Sequence, residues 1–381
     1  MAGLTIGDPA TWAQAMASNR ILPGDVLLLR GGNYAGTVPD TINGTEAAPV
    51  IIKSYPGELA VFNDGLTVNG TNLVFQDVEI AYPGWTTRTT ALSGSNPADI
   101  PVKDLQAPGA NVSFLDCRIH DLRLTFFSGV GGDITGCHIY NIGWLGLDRG
   151  HGHGIYSQNG ASPGAAEKQY RYNIVHDCYG WGFHVWDETS YLSNYLCEYN
   201  ISFKNGSPAS YPRPNILHGG GRLSDNVDYK YNYTHGGRGN ELGYSAGLTD
   251  LVLISNYWPD GVTKVNCTIT EETDNYYGSA IGNQVFVLPY KTGIAHVAIY
   301  NQAGSNSVSV DLSTVDGLSQ GDTVHAHNAQ DYDDDIQTLT LDASEHVTVN
   351  LQAANRSVEG PIGGDAVTSF PDFGCFIVRK A

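Results

Sequence analysis

The sequence predicts an all-β fold: a right-handed parallel β-helix (a solenoid of stacked coils) with an N-terminal capping helix and a C-terminal antiparallel β-sandwich-like domain. Short fragments in which an Asn or a Cys is followed closely by a strand-forming hydrophobic residue recur at intervals of roughly 20 to 35 residues, as the coils of a solenoid do. The 381-residue chain also contains 46 glycines and only 2 methionines, which is typical of turn-rich β structure. Together these observations predict the solenoid.

The repeated fragments predict a buried ladder of small polar side chains. They centre on Cys117, Cys137, Asn173, Asn200, Asn232 and Asn256. In a parallel β-helix the same position of successive coils is separated by about 4.8 Å. An Asn at a bend can therefore hydrogen-bond to the backbone and to the Asn of the next coil, which satisfies groups that a buried turn would leave unpaired.

The N-terminal segment is predicted to be a capping helix. Asp8 as N-cap and Pro9 at the first helical position precede an apolar stripe of Trp12, Ala13 and Met16. A helix at this point would cover the open end of the first coil.

Between this helix and the repeats, strands alternate with turns and are then interrupted by one long loop. Buried strands are predicted at 26–29, 49–52, 60–62, 73–75 and 78–80. From residue 82 to residue 109 proline, glycine, threonine and serine dominate, which indicates a loop that projects from one coil. Long ordered loops are frequently functional, although surface decoration explains the same composition.

The β-helix with its cap is predicted to span residues 1–278, and a separate antiparallel β domain residues 279–381. Short alternating strands separated by turns at sandwich-like spacing indicate the second domain. It could cap the C-terminal end of the solenoid or bind a glycan. Its acidic run from Asp331 to Asp335 could bind calcium, but a solvated acidic turn is favoured.

Composition argues against several classes of partner. Lys and Arg number 20 against 39 Asp and Glu, and the net charge of -19 disfavours nucleic acid, since phosphate binding depends on basic side chains. No apolar run is long enough to cross a membrane. No signal peptide is evident at the N-terminus, and the acidic composition suits a secreted or extracellular protein. The 6 cysteines include no C-x-x-C pair, so most are expected to be buried thiols and not zinc ligands.

The chemistry is predicted to lie on one outer face of the coils. In the glycine-rich segment 147–159, His151, His153 and Tyr156 can approach a ligand because glycines clear the space around them. Alternation sends Tyr156 outward if Ile155 points into the core, whereas His153 shares the inward register and is expected to be structural.

Later coils place similar side chains on the same face. His184 and Trp186 are predicted to point outward on the next coil, and His218, Arg222, Arg238, Glu241 and Tyr244 occupy comparable places further along. Aromatic rings stack on the apolar faces of sugar rings, and the polar groups between them bind hydroxyls. The set therefore predicts sugar recognition, with simple coverage of an exposed sheet as the alternative.

With these residues in place, the sequence resembles the right-handed parallel β-helix superfamily with pectate-lyase-like coils. The resemblance covers most of the chain before residue 270, through the Gly-His-Gly-Ile-Tyr strand ending at Tyr156 and the repeated Asn-Ile or Cys-x-Ile turns. Members are mainly polysaccharide lyases, glycoside hydrolases, epimerases and phage tailspikes. The Asn-Thr-Asp pattern of polygalacturonases, the Asp-Pro-His-Asp pattern of alginate epimerases and the calcium-binding Asp cluster of pectate lyases are missing. The resemblance thus implies the architecture and carbohydrate activity, without catalytic residues.

The first functional interpretation is a polysaccharide lyase that acts by β-elimination on a uronate-containing glycan. Elimination needs a base for the proton at C5, a cation or amide to neutralise the carboxylate, and an acid for the leaving oxygen. His184 or His151 would be the base, Tyr156 the acid, and Arg149 or Arg222 the neutralising cation.

Two other interpretations stay open. A glycoside hydrolase needs two carboxylates about 5 to 9 Å apart, and the acids available are Asp148, Asp187, Glu188 and Glu241. A non-catalytic glycan-binding or tailspike-like protein would use the aromatic face without cleavage. The lyase is preferred narrowly, because His, Tyr and Arg are concentrated on this face while paired acids are few. No cofactor is predicted apart from the calcium alternative, and the sequence gives no oligomeric state.

Overall fold

The computed structural model describes residues 10–17, 20–160, 165–187, 191–279 and 281–381. Their strands form two long parallel sheets followed by a region of antiparallel strands. The predicted all-β fold, a parallel β-helix with a C-terminal antiparallel region, is therefore confirmed. No helix within the described ranges has the length and apolarity that a membrane span requires.

A short helix, α1 (Trp12–Met16), precedes the first strand, and its buried side packs on the first coils. Its cap is Thr11, whose hydroxyl accepts a hydrogen bond from the backbone N–H of Gln14 while the Gln14 side chain accepts one from the backbone N–H of Thr11. The predicted cap at Asp8 and Pro9 lies outside the described residues.

The first sheet of the β-helix has ten strands, paired in parallel. They are β1 (Val26–Leu29), β3 (Val50–Ser54), β5 (Leu73–Gln76), β8 (Val112–Leu115), β11 (Asp133–Thr135), β16 (Lys168–Arg171), β19 (Tyr195–Glu198), β22 (Ser224–Lys230), β25 (Leu248–Ile254) and β27 (Cys267–Thr273).

The second sheet has fifteen strands and bends so that it supplies two more faces of the coil. Its strands are β2 (Gly32–Val38), β4 (Ala60–Val68), β6 (Glu79–Ala81), β7 (Asp104–Gln106), β9 (Arg118–His120), β10 (Leu124–Phe127), β12 (His138–Tyr140), β15 (Ile155–Ser157), β17 (Ile174–His176), β18 (Phe183–Val185), β20 (Ile201–Phe203), β21 (Ile216–Gly219), β23 (Tyr233–His235), β24 (Asn240–Gly243) and β26 (Val262–Lys264). Strand β4 joins the run β6-β9-β12-β17-β20-β23 to the run β7-β10-β15-β18-β21-β24-β26. A small antiparallel hairpin of β13 (Trp144–Leu145) and β14 (Gly150–His151) lies between β12 and β15 in the chain.

The predicted Asn ladder is present and extends one residue further than predicted. The side-chain amide of Asn200 donates to Asn232 Oδ1 (2.9 Å), Asn232 donates to Asn256 Oδ1 (3.0 Å), and Asn256 donates to Asn275 Oδ1 (2.8 Å). At the other end of the ladder, the backbone N–H of Cys137 donates a hydrogen bond to Asn173 Oδ1 (3.0 Å). All six cysteines are free thiols, and all except the half-buried Cys267 are buried.

The C-terminal region forms a five-stranded antiparallel sheet and a two-stranded one. Its strands are β28 (Asn283–Lys291), β29 (Ile294–Asn301), β30 (Ser307–Asp311), β31 (Thr323–Asn328), β32 (Ile336–Thr340), β33 (His346–Asn350) and β34 (Phe373–Lys380). The larger sheet packs against the side of the β-helix formed by β17, β20 and β23. Phe203 contacts Phe373, Tyr233 contacts Phe286, and the Tyr300 hydroxyl donates to the carbonyl of Thr234 (2.9 Å). The region therefore lies against the flank of the solenoid.

The acidic run in this region is a turn, as predicted, but it is solvated only in part: Asp333 and Asp334 are exposed, whereas the two flanking aspartates are not. Asp331 and Asp335 are buried, and Asp335 pairs with Arg356 (2.7 Å). Asp333 reaches across to Arg118 of the β-helix (2.7 Å). These carboxylates are thus engaged separately, and the described residues contain no group of three or more His, Cys, Asp or Glu placed to hold a metal ion.

Candidate functional site

The run of strands from β7 to β26 carries a continuous outward row of side chains. In the register of this sheet Phe126 is the partner of Tyr156, Tyr156 of His184, His184 of Leu217, and Leu217 of Glu241. Adjacent strands lie about 4.8 Å apart. Tyr156 and His184, predicted to share an outer face, are therefore immediate neighbours, and Glu241 lies two coils beyond His184.

A cleft of about 670 Å³ opens over this row. Among the described residues it is lined by three histidines, four arginines, five aromatic residues and a single carboxylate. The lining residues are Ser95, Asn96, Arg123, Leu124, Trp144, Arg149, His151, Gly152, His153, Tyr156, Trp181, His184, Trp186, Arg213, Pro214, Leu217, Arg238, Glu241 and Tyr244. In a chain whose net charge is -19, this cleft has a local excess of basic groups.

The floor of the cleft is a cluster of rings around His184. Its imidazole lies 4.6 Å from the Trp181 ring, 5.0 Å from the Tyr156 ring and 4.2 Å from the His153 ring, measured between centroids. Burial lowers the pKa of His184 to about 3, and the positive charges of Arg149 and Arg213 contribute to this lowering. The imidazole is therefore neutral, and its low pKa makes it a weak proton acceptor in the free protein.

His153 also lines the cleft, so its predicted inward direction is wrong, although it is buried and hydrogen-bonded as expected of a structural residue. Strand β15 begins only at Ile155, and the alternation of the strand does not extend back to His153. The backbone N–H of Trp181 donates to His153 Nδ1 (3.2 Å), which fixes the ring. Burial and then the neighbouring His184 lower the pKa of His153 well below its usual value.

The arginines of the cleft differ in their partners. Arg123 makes two hydrogen bonds to Asp104 (2.8 and 2.6 Å) and is neutralised by it. Arg213 lies over the Trp181 ring (4.5 Å) and the Tyr211 ring (4.4 Å), and within the described parts of the chain its guanidinium has no carboxylate partner.

Two further arginines surround Arg213. Arg238 likewise has no ion pair or side-chain hydrogen bond with any described residue, and Arg149 is 3.7 Å from Asp148. Burial, and next the positive charge of Arg149, lower the pKa of Arg213, while Glu241 acts in the opposite direction. The cleft thus concentrates positive charge for which the described acids do not fully compensate.

The β13–β14 hairpin positions His151 at the edge of the cleft. The His151 ring stacks on Trp144 (5.0 Å between centroids), and its Nε2 lies 3.0 Å from Asp148 Oδ1. This hydrogen bond lowers the pKa of Asp148, and burial lowers the pKa of His151. Both residues are engaged with each other, whereas His184 Nδ1 has no hydrogen-bond partner among the described residues.

The distal end of the cleft carries an aromatic pair. Trp186 and Tyr244 meet edge to face with their centroids 4.7 Å apart, and Tyr244 is 42% exposed. Trp186 also lies 5.6 Å from the His184 ring. This arrangement provides a ring face for a sugar next to the central cluster.

The long loop after residue 82 forms one wall of the cleft. The sequence predicts a loop that continues to Gly109, but the chain returns to the coil at Asp104, where β7 begins. Ser95 and Asn96 line the cleft, and Asn96 Oδ1 accepts a hydrogen bond from Arg123 (2.8 Å). The loop is therefore part of the candidate site.

Arg88 anchors this loop and is fully buried. Its guanidinium donates to Asp121 Oδ1 (2.7 Å), to the carbonyl of Gly143 (2.6 Å) at the base of the hairpin, and to the carbonyl of Ile362 (3.1 Å) in the C-terminal region. The hairpin that carries His151 is thus fixed from below by a residue that also contacts the C-terminal region.

Two further predicted positions are corrected by the structure. His218 is buried in the core, because Val185 and not His184 is its partner in the sheet; its Nδ1 lies 3.0 Å from the Tyr229 hydroxyl. Arg222 lies over the Tyr191 ring (5.4 Å) and does not line the cleft.

The predicted carboxylates are mostly absent from the cleft lining. Asp187 accepts a hydrogen bond from the backbone N–H of Gly221 (2.8 Å) and lies outside the lining. Asp148 is hydrogen-bonded to His151, and Glu188 lies outside the described residues. Of the predicted carboxylates, Glu241 is the one that lines the cleft.

Sequence reasoning missed Trp181 and Arg213. The sequence did contain a signal for Trp181: the Gly-Trp-Gly segment before Phe183 repeats the Gly-His-Gly pattern before Ile155. Phe183 and Ile155 are partners in the sheet, so Trp181 occupies the place of His153 on the next coil. Arg213 lies in a connection between coils, where strand alternation gives no information.

A scan against protein-family models found no match, and neither did a search of curated proteins. Among solved structures, the chain is similar to pectate lyase Pel9A, at 16% identity and a TM-score of 0.45, with 73% of each chain covered. It is similar to an alginate lyase from Paenibacillus sp. str. FPU-7 (16% identity, TM-score 0.40, 68% of this chain and 90% of the other). It is also similar to the Dettilon tailspike protein, at 11% identity and a TM-score of 0.28, with 93% of this chain and 86% of the other covered. At these values the similarities assign no function to this chain.

Proposed function

We propose that this protein is a polysaccharide lyase that cleaves a uronate-containing glycan by β-elimination. One observation carries the proposal: Arg213 and Arg238, which lack an acidic partner among the described residues, lie in the same cleft as the neutral His184 and Tyr156. Acidic groups are abundant in this chain, so arginines without acidic partners point to an anionic ligand.

The ring cluster supports the remaining steps of elimination. The imidazole of His184 would take the proton from C5, and the electron pair of that C–H bond would form the C4=C5 double bond. The C4–O4 bond breaks, and the hydroxyl of Tyr156 would give its proton to the leaving O4. The arginines would stabilise the negative charge that develops on the carboxylate as the C5 proton leaves.

A glycoside hydrolase is less well supported. Hydrolysis needs two carboxylates about 5 to 9 Å apart across the glycosidic bond. Glu241 is the carboxylate that lines the cleft among the described residues, while Asp148 and Asp187 have other partners.

A glycan-binding protein without catalysis is the second candidate function. The Trp186–Tyr244 pair favours it, because an exposed aromatic edge-to-face pair can bind a sugar ring whether or not a bond is broken. An extracellular location, where such polymers would be met, is part of either proposal.

The test is incubation of the purified protein with alginate, pectate and glycosaminoglycans. Elimination creates a double bond conjugated to the carboxylate, so a rise in ultraviolet absorption with at least one polymer is expected. No rise with any of them, together with binding on a glycan array, would favour the non-catalytic function.

A further inference from the structure

Trp181 links the arginines of the cleft to the base. One side chain, the indole of Trp181, is stacked nearly parallel to His184 (4.6 Å, 10°) and also packs against the Arg213 guanidinium (4.5 Å). Arg149 lies over the same ring at 5.9 Å. A ligand held by these arginines would therefore lie close to the imidazole.

Arg213 is built as a receptor for a planar anion. Its guanidinium lies against two aromatic rings, Trp181 and Tyr211, which hold its plane without using its N–H donors. Apart from these ring contacts, the guanidinium makes no ion pair or side-chain hydrogen bond with a described residue, and its buried Nε–H is likewise without a partner. A planar guanidinium with open donors binds a carboxylate through two parallel hydrogen bonds.

We propose that Arg213 holds the carboxylate of a bound uronate beside Trp181, and that this binding converts the neighbouring His184 into an effective proton acceptor. The inference rests on the proposed function for its chemical consequence, but the binding event itself requires no cleavage.

The physical reason is the charge around the imidazole. In the free protein, burial and the positive charges of Arg149 and Arg213 oppose protonation of His184, and such an imidazole is a weak base. A carboxylate bound to Arg213 neutralises part of that charge and adds a negative charge nearby. The pKa of His184 should then rise by about one unit or more.

The other groups that face His184 do not provide this effect. Tyr156 and Trp186 are uncharged rings, and His153 is itself kept neutral by burial. The change in His184 therefore depends on the arginines, and a neutral sugar that fills the cleft should leave the imidazole unchanged. The enzyme would activate its base only on an acidic sugar.

The experiment uses D-galacturonic acid, which has no glycosidic bond to break, and D-galactose as the neutral control. Nitrogen chemical shifts of histidine in isotope-labelled protein are followed against pH, and His184→Gln identifies the His184 signal. We expect galacturonate to move the protonation midpoint of His184 upward by about one pH unit or more, and galactose to leave it in place.

Two matched substitutions isolate Arg213. Arg213→Met should abolish the effect of galacturonate, whereas Arg379→Met should preserve it; Arg379 also lies over a tyrosine ring, that of Tyr332 (5.9 Å), but belongs to the C-terminal region. Arg213→Lys retains the charge without the planar donors and should weaken galacturonate binding at least several-fold.

Galacturonate binding with no change in the protonation midpoint of His184 would overturn the inference, and so would an unchanged response in Arg213→Met. Failure to bind galacturonate at all would also overturn it. If the His184 response is present but no polymer is cleaved, the proposed lyase activity fails and the coupling between Arg213 and His184 stands.

Discussion

The ring of Tyr156 lies 5.0 Å from the ring of His184, and the two residues are partners in adjacent parallel strands. The spacing of the sheet, and not a flexible loop, therefore sets their separation. In the proposed elimination Tyr156 gives a proton to the leaving oxygen and His184 takes one from C5, so both residues serve the same chemical step.

Substitution of either residue should remove most of the activity. Tyr156→Phe and His184→Gln are each expected to lower kcat/KM by about 100- to 10,000-fold. Because both groups serve the same step, the double variant should be little worse than either single variant. The measurement is the initial rate on the polymer that gives the strongest signal. His325→Gln, in the C-terminal region, is the control; full activity in His184→Gln would contradict the assignment.

The folded protein should lose stability in mild acid. Burial lowers the pKa of His218 and His235 to about 4 and that of His296 to about 3, so the unfolded chain binds more protons below about pH 6.5. The free energy of unfolding should then fall by up to about 1.4 kcal/mol per pH unit for each residue.

His120 acts in the opposite direction within a different pH range. Despite burial, its carboxylate partners Asp121 and Glu79 raise its pKa to about 9, so its contribution is complete below about pH 6.5 and is lost as the pH rises through about 9. Thermal unfolding at a series of pH values tests both effects. Between pH 7 and pH 5 the stability lost through the three neutral histidines should exceed any stability gained through His120. A Tm at pH 5 equal to that at pH 7 would contradict this prediction.

The Asn ladder should be a major source of stability. The Asn200 side chain donates to the carbonyl of Tyr170 (2.8 Å) and to Asn232, and its Oδ1 accepts from Asn173. Asn200→Ala leaves several buried groups without partners and should cost about 2 to 4 kcal/mol in urea unfolding. The exposed Asn306→Ala should cost less than about 0.5 kcal/mol; equal effects would contradict the role of the ladder.

Cleavage should continue in the presence of a chelator. Arg213 and Arg238 supply positive charge where a metal ion would otherwise neutralise the uronate. Activity in excess EDTA is therefore expected to stay within about two-fold of the untreated protein. Loss of activity that added calcium restores would show that the arginines are insufficient.

The stacking of the coils could be predicted because the same small residue returns at each bend, and every copy strengthens the inference. The direction of single side chains was harder to predict. Ile216 and Leu217 are both hydrophobic, so alternation does not fix which of them points inward, and a shift by one residue moved His218 from the expected outer face into the core.

The arginine site could not be predicted from strand patterns. Arg213 comes from a connection, and its neighbours Trp181 and Tyr211 are 30 residues apart in the sequence, so only the folded chain brings all three together. His153 precedes its strand, so the alternation of β15 carries no information about its direction.

The most direct measurement is cleavage in water labelled with the heavy isotope of oxygen, followed by mass spectrometry of the oligosaccharides. Elimination consumes no water, so we expect unsaturated products in which the cleaved bond has gained no label. Saturated products that each carry one labelled oxygen from the cleavage would mean hydrolysis, and would contradict the roles assigned to His184, Tyr156 and Arg213.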